Sequence, residues 1–359
     1  MTRPPPKSGK KAPRAPAPRP TMRKVAIAAG VSVMSVSNVV NGRFDLLRPD
    51  TRQRIEEAIA KVGYRPHAGA RNLRRSRAMT VGLLIIDQSG TFLGEPFIAQ
   101  IAGGLSATLG DYNYGMLLQA SPTLDVEDSL VFEHGRTDAV CVFLEGSDGY
   151  RAKLIERLSK LDQPIIAFQE VGLRNDLPNV CVIRQHDLVG GQLIAQHVRD
   201  LGAKRFAVLT PGIMRPGASQ RLIGIREGLG RDSGEKTCAI IPCGDMSFAS
   251  TQAALLAFLA DNPCPDAFLS LNDHMGIATV KLMKAQGLRV PQDVMVTGFN
   301  NMEFRQYADP LLTTITSHAY EMGAVAAKAI LYRLEHGRFE ETEIVLPVDL
   351  VVGGSTVTD

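Results

Sequence analysis

The sequence predicts an α/β protein: a small three-helix head followed by a two-lobed, doubly wound parallel α/β body. Three observations predict it. The chain has 359 residues, too many for one ordinary domain. Up to Val62 the apolar residues recur at helical spacing only. From Met79 onward, short apolar runs alternate with amphipathic segments, the pattern of parallel sheets covered by helices on both faces.

Charge divides the chain at the same place. Up to Arg77 there are 18 Lys/Arg against 4 Asp/Glu, and the remainder holds 22 against 33. A basic leading segment on an acidic body fits a polyanion-binding module joined to a globular domain. Residues 1–20 read as a Pro-rich, basic, disordered arm. Apolar residues make up 45%, enough for a substantial core, and no run reaches the ~18 residues needed to span a bilayer. The N-terminus lacks the apolar stretch of a secretory signal, and the five cysteines (Cys141, Cys181, Cys238, Cys243, Cys264) form no C-x-x-C pair. Both fit a cytoplasmic protein with reduced thiols.

In the head, Thr21 caps a helix over Met22–Ala29, Gly30-Val31-Ser32 turns the chain, and Ser32 caps a second helix over Val33–Asn41. A third runs Pro49–Val62: Pro49 fits its first turn, Asp50 its positive end, and Gly63 stops it. Nine strands are expected in the body: Val81–Ile86, Gly115–Gln119, Ala139–Leu144, Pro164–Phe168, Val180–Ile183, Phe206–Thr210, Cys238–Ile241, Ala267–Leu271 and Val294–Gly298. Helices between them include Phe97–Leu109, Arg151–Leu161, Leu188–Leu201, Gln220–Gly230, Phe248–Ala260, His274–Gln286 and Tyr320–Leu334. Nine strands exceed one compact sheet, so two lobes are expected, with a ligand cleft beyond the carboxyl ends of the strands.

Two short helices joined at Gly30 make a helix-turn-helix. Val25, Ala29, Val31, Val36 and Val39 would pack the helices together, leaving Val33, Met34, Ser35, Ser37, Asn38 and Asn41 outward. Hydroxyls and amides near a helix N-terminus suit phosphate oxygens. Asn38 can read adenine, and Val33 and Met34 can meet thymine methyls. An ordinary helical hairpin with a polar face is the alternative.

The order Ala28-Ala29-Gly30-Val31-Ser32, Val36-Ser37-Asn38-Val39-Val40-Asn41, Thr51-Arg52, Gly63-Tyr64-Arg65-Pro66 and Ala70-Arg71-Asn72-Leu73 resembles the lactose-repressor/galactose-repressor family of bacterial regulators. The resemblance continues at Gly190-Gly191, Arg221-Leu222-Ile223-Gly224, Leu271-Asn272-Asp273, Val296-Thr297-Gly298-Phe299 and Leu312-Thr313-Thr314-Ile315. It implies a helix-turn-helix DNA-binding domain over 21–66, a hinge helix and linker over 67–78, and an effector-binding, dimerising domain over 79–359 that is periplasmic-binding-protein-like. Val33, Met34 and Asn38 match base-reading positions. Thr21, Ser35, Ser37, Asn41 and Thr51 match phosphate contacts. In the hinge, Ala70, Leu73 and Arg74 match minor-groove contacts, with Leu73 as the apolar wedge between base steps. Two departures are Lys24, where an acidic residue is usual, and Arg48, where a capping serine is common.

The matching cleft positions are Glu95, Pro96, Phe97, Phe143, Gln169, Gln185, Arg221, Met246, Asn272, Asn300, Ser317 and Met322. Amides and a guanidinium suit hydroxyls or a carboxylate, and Arg221 is expected to clamp one of these by two parallel bonds. Asn300 replaces an aspartate common in sugar-sensing relatives, which, with Arg215 nearby, tilts the expectation toward an acidic sugar. The implied protein is a repressor on double-stranded operator DNA, controlled by a sugar or sugar acid, without cofactor or membrane contact. The absence of a heptad tail favours a homodimer.

Other classes fit less well. There is no G-x-G-x-x-G after the first body strand, no P-loop and no G-x-S-x-G, and the seven histidines sit in no metal-ligand spacing, so an enzyme is not expected. A periplasmic-type sugar-binding protein without a DNA role would not need the basic head. A ligand-independent DNA binder would not need the cleft.

Overall fold

The computed structural model describes residues 20–64, 77–86, 94–121, 129–133, 135–161, 163–173, 177, 179–230 and 238–357. It divides into two compact units, Met1–Arg77 and Ala78–Asp359.

In the first unit, α1 (Met22–Ala29), α2 (Val33–Val40) and α3 (Pro49–Val62) form a three-helix domain. The Thr21 hydroxyl accepts from the Lys24 amide at 3.4 Å and the Ser32 hydroxyl from the Ser35 amide at 3.0 Å, so both helix starts are capped. Gly30 sits at φ +63°, a left-handed conformation that costs glycine nothing and lets the chain turn between α1 and α2. Val25, Ala26, Val36, Val39, Ile55, Ala58 and Tyr64 close a small core, with Ala29 and Val31 packed against it. Arg48 is the residue preceding α3, and its side chain makes no capping bond.

The second unit has two lobes. The first is built from β1 (Thr80–Ile86), α4 (Pro96–Asp111), β2 (Gly115–Ser121), β3 (Ala139–Phe143), α5 (Asp148–Leu158), β4 (Ile165–Phe168) and β5 (Val180–Gln185). The second holds α6 (Asp187–Asp200), β6 (Phe206–Thr210), α7 (Pro216–Leu229), β7 (Cys238–Pro242), α8 (Phe248–Asp261), β8 (Ala267–Ser270), α9 (Asp273–Ala285) and β9 (Met295–Thr297). After β10 (Thr314–Ile315), α10 (Ala319–His336) and β11 (Glu343–Leu346) return to the first lobe, and β12 (Leu350–Val351) pairs with β10. Strand order is β11-β5-β4-β3-β1-β2 in one sheet and β7-β6-β8-β9 in the other, parallel throughout.

Period-two side chains explain the layering. On β1, Val81, Leu83 and Ile85 join the core facing α4 and α10, whereas Leu84 and Ile86 join the core facing α5. On β3, Ala139, Cys141 and Phe143 face the first core and Val140 and Val142 the second. The nine expected strands all form, within two residues at each end. Three more were not expected, and α7 begins at Pro216 rather than Gln220. Two contacts in the second lobe demand glycine. A Cβ on Gly191 would lie 2.2 Å from the Arg221 carbonyl oxygen, and one on Gly224 would lie 1.9 Å from that of Leu188, so α6 and α7 pack backbone against backbone.

Candidate DNA-reading face and effector cleft

On the head, Val33 and Met34 are 46% and 67% exposed at the start of α2, and Asn38 is half-buried one turn further on. The register of α2 turns Met34 outward, since Val36 and Val39 face the core, and Val33 is exposed at the first position of the helix. Thr21 and Asn41 are exposed, and Ser35 and Thr51 are partly so. Ser37 is a correction. It is only 8% exposed and its hydroxyl accepts from Asn41 Nδ2 at 3.1 Å, while that amide also donates to the Ser37 carbonyl at 2.6 Å. It lies on the flank of the buried Val36 stripe, so it supports the end of α2 instead of facing out with the others. Phe44 was not anticipated: the Arg52 guanidinium stacks 3.7 Å above its ring and bonds Glu56 at 2.7 Å. Ala70, Leu73 and Arg74 lie outside the described residues.

Within the body, a cavity of about 360 Å³ opens between the lobes, a size suited to a small molecule. Its lining comes from the carboxyl ends of strands and the first turns of helices, where doubly wound folds place ligands. Glu95, Pro96 and Phe97 open α4; Phe143 and Glu145 end and follow β3; Gln169 follows β4. From the other lobe come Arg215 and Arg221 at the start of α7, Met246 beyond β7, and Asn272 and His274 at the start of α9, with Asn300 following β9. Of the expected cleft residues, Gln185, Ser317 and Met322 are not in the lining. Gln185 is turned behind the wall, where its amide donates to Asp187 Oδ1 at 2.8 Å. Met322 is fully buried in the first lobe's core, and Ser317 sits in the connection between β10 and α10.

Asp187, which the sequence reading missed, is a hub behind the wall. It accepts from Gln169 Nε2 at 2.9 Å, Gln185 Nε2 at 2.8 Å and Arg221 Nε at 2.7 Å while 3% exposed. An acidic residue just before an expected helix, after Gln185-His186, was the available signal. Arg221 is 7% exposed, donates Nη1 to the Leu271 carbonyl at 2.7 Å, and lies 3.8 Å over the Phe299 ring. Two of its nitrogens are thus engaged within the protein, whereas the sequence reading expected a two-pronged clamp on a ligand, and the guanidinium is braced from behind.

The remaining polar groups set the chemistry of the cleft. Asn300 is 8% exposed, and its side-chain oxygen has no hydrogen-bond partner among the described residues. A buried acceptor in that state invites a donor such as a hydroxyl. Asn272 caps α9 with its oxygen at 2.9 Å from the Met275 amide and directs its NH2 to the Met246 thioether at 3.1 Å, a weak acceptor. His274 stacks on Phe304 at 4.6 Å and meets Phe248 edge-on, giving an aromatic lip; burial pushes the His274 pKa below its ordinary value despite Glu95. Arg215, which the sequence reading set beside an acidic sugar, is engaged with Glu95 and with Glu145 (2.7 Å). Among the described residues no group of His, Cys, Asp or Glu could hold a metal, and no single helix is long and apolar enough to cross a membrane.

A helix-turn-helix head followed by a two-lobed α/β ligand-binding domain defines a DNA-binding transcription regulator with an effector site. Residues 21–67 match the model of bacterial regulatory proteins of the lacI family, and residues 195–356 that of a periplasmic binding protein-like domain. The head thus carries the lacI-family domain and the body the periplasmic binding protein-like domain that the resemblance implied, and the relatives it matches are transcriptional regulators. It is 29% identical over 343 residues to the HTH-type transcriptional regulator CelR of Thermobifida fusca, covering 93% of this chain and 97% of that one. A solved structure of a transcriptional regulator CelR–cellobiose complex is 27% identical with a TM-score of 0.67, covering 94% of this chain and all of that one. The lac repressor dimer bound to operator and an anti-inducer shares the fold at a TM-score of 0.80 and 23% identity, over 95% of this chain and 100% of that one.

Proposed function

We propose that this chain is a homodimeric, cytoplasmic repressor whose operator affinity is controlled by a small carbohydrate, and that it acts by binding alone without catalysing a reaction. The head (21–66) reads operator DNA: Val33, Met34 and Asn38 meet bases, while Thr21, Ser35, Asn41 and Thr51 meet phosphates. The connector (67–78), with Ala70, Leu73 and Arg74, enters the minor groove by resemblance alone. The body (79–359) binds the effector and pairs the protomers.

The observation that carries the effector half is Asn300, a buried carbonyl oxygen with no partner at the wall of an interlobe cleft. Asn272 and the braced Arg221 supply donors beside it, and Phe97, Phe143 and Phe304 supply apolar walls for a sugar-ring face. A hydroxyl-rich, uncharged ligand satisfies both. Cellobiose, bound by one similar regulator, is a rational first probe.

The test is fluorescence anisotropy of the full chain on promoter fragments flanking its own gene, with a panel of neutral sugars. Preference for one fragment over random duplex, changed by one sugar that also raises the melting temperature, supports the reading. Equal affinity for all duplexes, with and without sugars, refutes it.

A further inference from the structure

Arg215 belongs to one lobe by its backbone and to the other by its side chain. It is the residue preceding α7 in the second lobe. Its guanidinium pairs with Glu95, which precedes α4, and with Glu145, beyond β3, donating Nε to Glu145 at 2.9 Å and Nη2 at 2.7 Å. It also lies 5.5 Å from the centre of the Phe143 ring. All three neighbours are in the first lobe and all line the cleft. The side chains of Arg215 and Glu145 are 15% and 6% exposed, so that ion pair is largely shielded from solvent, whereas the Glu95 side chain is 30% exposed. Burial works against the Arg215 charge, but Glu95 and Glu145 outweigh it and raise the Arg215 pKa above its ordinary value. The triad itself, two carboxylates and one guanidinium, is formally negative. Arg221, the other cleft arginine, is balanced by Asp187.

We propose that the Glu95–Arg215–Glu145 triad is a charged clasp between the lobes that sets which effectors the cleft admits, rejecting anions. The mechanical half stands on the ion pairs themselves; the ligand half rests on the carbohydrate reading above. A carboxylate entering the cleft meets a guanidinium already neutralised and a surplus negative charge, so discrimination comes from repulsion as much as from fit. A neutral sugar enters without disturbing the triad. Opening the lobes separates these opposite charges and exposes them to solvent, where added salt screens them, so high salt favours the open form.

The clasp is tested without ligand by small-angle scattering of the full chain at low and high salt. The wild type should expand at high salt, and Arg215→Met should already be expanded at low salt and respond little. Identical radii of gyration and salt responses in the two proteins overturn the clasp, even where sugars bind. Selectivity is tested by calorimetry with glucose and cellobiose against gluconate and glucuronate. The wild type should favour the neutral probes by at least about tenfold, equivalent to about 1.4 kcal/mol. In Glu95→Gln/Glu145→Gln the ratio should move toward the acids by a similar factor, and adding Arg215→Met should remove that gain. Because the gain is a new binding activity, a misfolded variant cannot imitate it. An unchanged ratio in the double variant overturns the selectivity role. If no neutral probe binds the wild type while the scattering difference is present, the carbohydrate reading fails and the clasp stands.

Discussion

Asn38 and Ser35 share a face of α2 and should fail differently when truncated. A carboxamide that pairs with a base edge carries sequence information, whereas a hydroxyl on a phosphate does not. Asn38→Ala should therefore cost about 1–3 kcal/mol on the preferred operator and flatten discrimination at one base position. Ser35→Ala should weaken every duplex alike. Anisotropy on an operator and its single-base variants distinguishes the two, and unchanged discrimination in Asn38→Ala would mean that another residue reads the base. In the cleft, Arg221→Met leaves the 3%-exposed Asp187 carboxylate without its cation. Removing one partner of a buried pair costs about 3–5 kcal/mol, so urea unfolding should shift by that order, and the response to effector should disappear. Arg221 could be picked from the sequence because Arg221-Leu222-Ile223-Gly224 carries the family resemblance. Asp187 offered only its place at a helix start, because its importance lies in three donors that converge from the residue after β4, from β5 and from α7.

The helices explain how much of the fold could be read directly. Where the end of a helix carries its own chemistry, as with Thr21, Ser32, Gly30 and Gly63, the boundary fell where the residues put it. Where it does not, the reading slipped. Helix α7 starts at Pro216, before a Gly-Ala-Ser stretch that reads as loop, and Arg215 cannot mark the start as a cap because a guanidinium has no acceptor; its side chain reaches across to the other lobe. The strand β11 pairs in parallel with β5, with Glu343 opposite Val182, a partnership far too distant in sequence for local pattern to reveal. Arg48 offers a direct test at this scale. It precedes α3 with an extended backbone and no capping bond, the position that serine fills best. Arg48→Ser should stabilise the head by about 0.5–1 kcal/mol, visible as a higher thermal midpoint. A lower midpoint would mean that the arginine side chain has another stabilising role.

Across the whole body, the chain passes between lobes three times, at residues 185–187, 315–319 and 346–350. Asp273 ties this joint from the second lobe. Its carboxylate accepts from the Met302 amide at 2.7 Å and the Thr314 hydroxyl at 2.6 Å. Burial raises its pKa to about 6, against the opposing pull of those two bonds and of Arg305 and Arg221. Unfolded, the same group takes its proton near the ordinary aspartate value of about 4. Between these values the native chain binds more protons than the unfolded one, so this group makes the protein more stable as the pH falls from above 6 toward 4. Asp273→Asn removes the titration. The denaturation midpoint of the wild type, measured relative to that variant, should rise on going from pH 7.5 to pH 5, and a constant difference would show that Asp273 does not titrate there.

The glycines between α6 and α7 bear on how any such joint can work. With Gly191 and Gly224 pressed onto carbonyl oxygens of the facing helix, those two helices are keyed together like the teeth of a closed zip, and Asp187 and Arg221 ride on the same rigid bar. A ligand pulling on Arg221 cannot bend that bar, so its displacement has to emerge in the thin strips of chain that join the jaws. Substitutions that alter the response without touching the ligand should then collect in those strips and be scarce along the bar, where they would simply break the molecule.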